Sequence, residues 1–188
     1  MDYIAVQLVD IKEAQQKLSE LRGEYWLQEV VFSFQWWFLL ISMLLIGLLW
    51  LRIVDRKMLR GITLYGVITL GIVMFLDVFG AELVLWDYPA MVLPWGSRII
   101  FINMIISIVY MLLYQCFPAW NRFILASAVT ALIFAFVLEP LAIYMNIYEP
   151  YTWEHIYSFP IYILLPIIIK WVVDKIYLIE RTNQEKMN

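Results

Sequence analysis

Three polar residues stand inside stretches that are otherwise apolar: Asp77, Asn103 and Glu139. Two carboxylates and an amide held close together can bind a cation, share a proton or orient a hydrogen-bonding ligand. An ionised carboxylate inside a bilayer costs at least about 2.5 kcal/mol, so each acid must be paired, hydrated or protonated. Their spacing places each on an inward face. Ser127, Ala131, Ala135 and Glu139 recur every four residues, and small residues mark the faces on which membrane helices touch. Asp77 falls within roughly 40° of Gly66 and Thr63 on a 3.6-residue helix. Asn103, Ser107, Tyr110 and Tyr114 form a polar seam at steps of four, three and four. At about 1.5 Å per residue, the three polar residues come out roughly 7–10 Å from the middle of their spans, toward the same end. Arg98 is expected to cap the third span at that end. These four residues are the candidate ligand or proton site. A buried polar contact that only fixes helix register explains them equally well.

Aromatic residues crowd the loops at the same end: Trp86, Tyr88, Trp95, Tyr148, Trp153 and, beside them, His155. An interfacial aromatic belt is the favoured reading; the functional alternative is a lid of rings over the carboxylates. His155 is the single histidine, and no second ligand stands at helical spacing from it, so no metal site is expected. The two acids sit in similar settings. Asp77 is followed by Trp86-Asp87-Tyr88-Pro89 and Glu139 by Tyr148-Glu149-Pro150, after which Ser97 or Ser158 opens the next span. A helical hairpin duplicated about an axis along the membrane normal has this form. Pro166 removes a backbone donor and should kink the last span. Lys170 and Asp174, four apart, are placed to pair, with Lys170 snorkelling to the interface. A phosphate-binding loop, a dinucleotide fingerprint, HExxH and CxxC are all missing. No cofactor and no catalytic residue are therefore assigned, and nothing points to a serine–histidine–acid triad.

The elements that must position these residues are membrane helices. Apolar residues make up 64% of the 188 and charged residues 15%, against roughly 45–50% and 25% in soluble domains. A water-soluble chain of this size could not hide so much apolar surface. The expected fold is an all-α polytopic membrane helix bundle of about five transmembrane helices with an N-terminal amphipathic helix. The spans run from about Leu27 to Leu51, Gly61 to Phe79, Arg98 to Phe117, Arg122 to Met145 and Tyr157 to Tyr177. This divides the chain into a leader (1–26), a five-helix transmembrane domain (27–178) and a tail (179–188). Arg52, Arg56, Lys57, Arg60, Arg122, Lys170, Lys175, Arg181 and Lys186 lie toward one side, and only Arg98 lies in loops on the other. The positive-inside rule then puts the N-terminus and leader outside and the C-terminus in the cytoplasm. Ile4, Leu8, Ile11 and Leu18 give the leader an apolar face, interrupted by Gln15, suited to a membrane surface. No cleaved signal peptide is expected, since the start lacks a basic region followed by an apolar one. The single cysteine, Cys116, excludes an intrachain disulfide.

Several segments occur together: EYW at Glu24–Trp26, VDRK at Val54–Lys57, LWDYP at Leu85–Pro89, MLLYQCFPAW at Met111–Trp120, FAFVLEP at Phe134–Pro140 and YSFPIYI at Tyr157–Ile163. In this order they resemble an uncharacterised family of small polytopic membrane proteins found in endospore-forming Firmicutes, over nearly the whole chain. The resemblance implies a bacterial cytoplasmic membrane and brings no reaction with it. The pattern of an acid followed by an aromatic-rich turn is also similar, more generically, to membrane carotenoid cyclases. The first functional expectation is a non-enzymatic binding or accessory protein with a polar site in the outer third of the bundle. The second is a small ion- or proton-coupled transporter or channel. The third is an intramembrane enzyme acting on a lipid or isoprenoid. The expected partners are the lipid bilayer, a lipid or small-molecule ligand, and a second copy or another membrane protein. The net charge of -3 gives no reason to expect nucleic acid.

Overall fold

A computed structural model describes residues 7–96 and 98–187. Ile4 and Ser97 lie outside the described residues, as does the side chain of Lys186. The chain is all-α apart from a two-residue ribbon. Helix α1 (Leu8–Tyr25) runs into a π-helical turn, Trp26–Val30, and α2 spans Phe34–Ile53. Then come α3 (Leu59–Glu82), β1 (Trp86–Asp87) and α4 (Ile100–Cys116). Helix α5 (Trp120–Ile133) continues through a second π turn, Phe134–Leu138, into α6 (Glu139–Tyr144). Strand β2 (Glu149–Pro150) and α7 (His155–Met187) complete the order. Among the described residues, four helical units are long and apolar enough to cross a membrane: α2, α3, the α5–α6 unit and α7. The protein is a multi-pass helical membrane protein.

Two expected span limits change. Helix α4 has 17 residues, about 25 Å at 1.5 Å per residue, less than the roughly 30 Å of a hydrocarbon core. Arg98 and Ile99 belong to the preceding loop, where the Arg98 carbonyl accepts from the backbone N–H of Val92 at 2.7 Å. The first span starts at Phe34 rather than Leu27. The chain breaks at Phe32, whose φ is 64°, and the Ser33 hydroxyl caps α2 by accepting from the Trp36 N–H at 3.3 Å. Tertiary bonds fix this break. The Trp26 and Trp36 indoles both donate to the Val92 carbonyl, at 3.1 and 3.3 Å. Tyr25 donates its hydroxyl to the Pro89 carbonyl. At the other end the tail is no separate element, since α7 continues through it to Met187.

The core lies where α3 and α4 meet the α5–α6 unit and α7, around Ile62, Tyr65, Tyr110, Tyr114, Phe123, Ile169 and Val173. Tyr65 and Tyr114 stack with centroids 4.6 Å apart. The four-residue series behaves as expected, with Ser127, Ala131 and Ala135 fully buried. A straight α-helix would not have kept Glu139 on that face, because twelve residues drift by roughly 120° at 100° per residue. The π turn absorbs one extra residue and cancels most of that drift. Its cause is local: Pro140 has no N–H to donate, and the Glu139 N–H reaches back five residues to Phe134. The α3 reading needs correction at Thr63, which is exposed; Thr69 is the buried threonine, its hydroxyl bonded to the Tyr65 carbonyl at 2.7 Å.

Pro166 also shapes the bundle. Proline at 166 leaves the carbonyl four residues back, on Tyr162, without its helical donor. The Tyr110 hydroxyl donates to that carbonyl at 2.8 Å. The Tyr65 hydroxyl donates to the Pro166 carbonyl at 3.1 Å. Lys170 departs from expectation. It pairs with Asp174 at 3.0 Å, but it does not snorkel. Its ammonium is buried 4.8, 5.1 and 5.4 Å from the ring centroids of Tyr114, Trp120 and Phe123. Three ring faces and one carboxylate offset the loss of water around the cation.

The duplicated hairpin is visible in the backbone. Residues 62 apart (139 − 77) take the same roles. Leu83 and Met145 cap their helices with φ of -80° in both cases. Val84 and Asn146 follow at φ 56° and 55°. The Leu85 N–H then donates to Gly80 and the Ile147 N–H to Ala142, at 3.0 and 2.8 Å. Strands β1 and β2 pair antiparallel with Asp87 opposite Glu149, themselves 62 apart. A local two-fold axis therefore passes through that residue pair.

Candidate functional site

Both acids stand six residues before a helix C-cap, Asp77 before Leu83 and Glu139 before Met145. The duplicated turns bring the loops that follow them over the same end of the bundle. There the tyrosines of one loop and of α7 turn inward to the carboxylates.

Asp77 is buried. One oxygen accepts a short hydrogen bond from the Tyr88 hydroxyl, and the other accepts from the Asn103 amide at 3.3 Å. Asn103 is in turn tied to Ser107, whose hydroxyl donates to the Asn103 carbonyl at 2.8 Å. Glu139 is met on both oxygens. His155 Nδ1 lies 2.8 Å from Oε2, and the Tyr162 hydroxyl donates to Oε1 at 2.9 Å. The Glu139 side chain is 12% exposed and that of His155 is 32% exposed, so the histidine is the member of this cluster that meets the surface. Tyr148 joins the two halves. Its ring lies 5.8 Å from that of Tyr88. Burial raises its pKa first, and the Glu139 and Asp77 carboxylates add to the rise. Burial and Asp77 likewise push the Tyr88 phenol well above its usual range. Neutral phenols are what donate to the carboxylates, so these shifts favour the hydrogen-bonded form.

The structure sorts the expected residues. Asp77 and Asn103 touch directly, whereas Glu139 is held separately by His155 and Tyr162; Tyr148 lies within the field of both carboxylates. Arg98 does not cap the cluster. It is buried in the loop and bonded to Asp87, with Glu82 at 4.0 Å; Asp87 also accepts from the Tyr88 N–H. Arg98 thus orders the loop that carries Tyr88. Among the lid candidates, Tyr88 and Tyr148 belong to the network and His155 is a direct partner of Glu139. Trp86 fills the space that a Cβ on Gly80 would need, and its ring meets Trp153 at 5.0 Å. Trp153 donates to the Ser158 hydroxyl at 2.9 Å. Trp95 is 68% exposed and takes no part. Tyr162 escaped the sequence reading. The available signal was its spacing: seven residues after His155, it lies on the same face of α7.

A cavity of about 270 Å³ opens at this end, lined by Tyr25, Glu29, Ser33, Gln35, Pro89 and Asn146 among others. Pro89 and Asn146 belong to the loops that carry Tyr88 and Tyr148. Among the described residues, no group of three or more His, Cys, Asp and Glu is placed to hold a metal ion. No protein-family model, curated protein or solved structure matches the chain.

Proposed function

We propose that this chain is a non-enzymatic binding or accessory protein of the membrane, whose carboxylate–tyrosine cluster holds exchangeable protons beside a small-ligand site. The observation that carries this reading is the placement of Glu139 between a half-exposed histidine and a buried tyrosine. His155 touches both the surface and Glu139, so its imidazole can pass a proton between the surface and an acid that has little access to water. Every carboxylate oxygen in the cluster meets a protein donor. That suits holding and exchanging protons better than attacking a substrate. The adjoining cavity is the entry for a small polar ligand.

Infrared difference spectroscopy on the protein in lipid nanodiscs tests this directly. A carboxylic-acid C=O band should be present, vanish in Glu139→Gln and shift in His155→Gln. A band unchanged in both variants, or no such band at all, would overturn the proposal.

A proton-coupled transporter is the second reading. It is favoured by the buried seam of Asn103, Ser107, Tyr110 and Tyr114, which leads on to Lys170 and Asp174 through the Tyr114 hydroxyl, 3.2 Å from Asp174. We also propose the orientation implied by the basic residues: aromatic end and N-terminus outside, C-terminus in the cytoplasm of a bacterial cell, with α1 on the membrane surface. In a Cys116→Ser background, an impermeant thiol reagent should label Tyr151→Cys and spare Lys57→Cys in intact cells. The opposite pattern inverts the topology.

A further inference from the structure

On the α2 side of the bundle, a groove of about 430 Å³ runs between α2, α3 and α4. Its walls are aliphatic, among them Leu44, Leu48, Val67, Leu70 and Ile108, and Gly47 and Gly66 thin the helices beside it. Helix α2 is the least embedded of the four candidate spans, with Leu39 its one buried residue. The groove therefore opens toward lipid.

One end of the groove is marked by Trp50, Leu51 and Thr63. Within six residues after Leu51 the chain carries Arg52, Arg56 and Lys57, all exposed. Asp55, the acid among them, is engaged by the backbone. Its side chain accepts from the Lys57 N–H at 2.9 Å, and its own N–H donates to Gln115 at 2.8 Å. Arg60 is committed to Glu180 at 2.7 Å. The apolar trough thus ends beside the turn that carries three exposed basic side chains.

We propose that this groove and the basic turn form a binding site for an anionic phospholipid, with an acyl chain along the trough and the phosphate on Arg52, Arg56 and Lys57. Basic pockets beside transmembrane helices recognise acidic headgroups in this way. The exposed basic side chains beside the apolar trough favour an anionic lipid over a neighbouring helix. The groove shares Ser107 with the surroundings of the acid cluster, but the lipid site uses neither carboxylate and is tested separately.

Native mass spectrometry of the full chain, titrated with phosphatidylglycerol and with phosphatidylcholine of the same acyl chains, tests the proposal. The wild type should bind phosphatidylglycerol more tightly. Arg52→Gln, Arg56→Gln and Lys57→Gln should each weaken it roughly fivefold and leave phosphatidylcholine unaffected. Gly47→Leu should weaken both lipids. A Cβ at Gly47 meets nothing nearer than 3.8 Å, so the added side chain enters the groove without a clash, and an unchanged melting temperature confirms the fold. Soluble glycerol phosphate, which brings charge without chains, should not compete at matched concentration. Equal binding of both lipids, or competition by glycerol phosphate alone, refutes the site. If Gly47→Leu leaves lipid binding intact but dissociates a dimer, the occupant is a second copy and the proposal fails.

Discussion

The bond between the Tyr110 hydroxyl and the Tyr162 carbonyl exists because position 166 is proline, and this makes a double-mutant cycle decisive. Tyr110 is fully buried, so Tyr110→Phe keeps the ring and removes only the donor. The Tyr162 carbonyl is then left without its 2.8 Å partner. An unsatisfied buried acceptor costs roughly 1–3 kcal/mol in water-soluble proteins. Interhelical hydrogen bonds in membranes average about 0.6 and reach about 1.7 kcal/mol. A cost of about 1 kcal/mol is therefore expected in the wild-type background. Pro166→Ala restores a backbone N–H four residues after Tyr162, which can donate to the same carbonyl. In that background Tyr110→Phe should cost close to nothing, giving a coupling of about 1 kcal/mol. Independent sites add to within about 0.5 kcal/mol, so the effect is measurable by reversible denaturation in bicelles. The cycle also bears on the site, because Tyr162 carries the hydroxyl that holds Glu139. Tyr110→Phe alone should shift the Glu139 carboxyl band, and Pro166→Ala should reduce that shift. Equal costs of Tyr110→Phe in both backgrounds would refute the reasoning.

At the basic end, Lys170 is the buried member of its pair and Asp174 the half-exposed one. Asp174→Asn should therefore destabilise by about 3 kcal/mol, more than Lys170→Met, and the double variant by less than the sum; additive losses in the same denaturation assay would contradict this. Val84 is β-branched and holds a left-handed φ of 56°, where its repeat counterpart is asparagine. Val84→Asn should stabilise by about 1 kcal/mol and Asn146→Val should destabilise by a similar amount, read from melting temperatures. Tyr88 and Tyr148 have pKa values raised above their unfolded value near 10. Their contribution to stability is intact below about pH 10 and is lost as pH rises beyond it. Melting temperature followed with tyrosinate absorbance should fall above that pH, less steeply in Tyr88→Phe.

Composition alone established that this chain is a multi-pass helical membrane protein, because 64% apolar residues in 188 leave no other solvent for the surface. Small-residue spacing found the inward face of α5, since contact between membrane helices depends on side-chain size, which is written in the sequence, and the polar seam found that of α4. The acids were legible for a similar reason: a carboxylate among leucines must be compensated somewhere. What compensates each acid was not legible. Tyr88 and Tyr162 reach Asp77 and Glu139 across the fold, and no periodicity within one helix encodes a partner on another. Glu139 faces inward only because a π turn at Phe134–Leu138 cancels the helical drift, and a fixed period of 3.6 contains no such insertion. Arg98 turns to Asp87, and Lys170 enters an aromatic cage instead of reaching for the interface. A long cationic side chain has many rotamers within reach of lipid, water or protein, so only the packed neighbours select among them. The late start of α2 has the same origin, since two indoles from either side of the break share the Val92 carbonyl, 56 and 66 residues away.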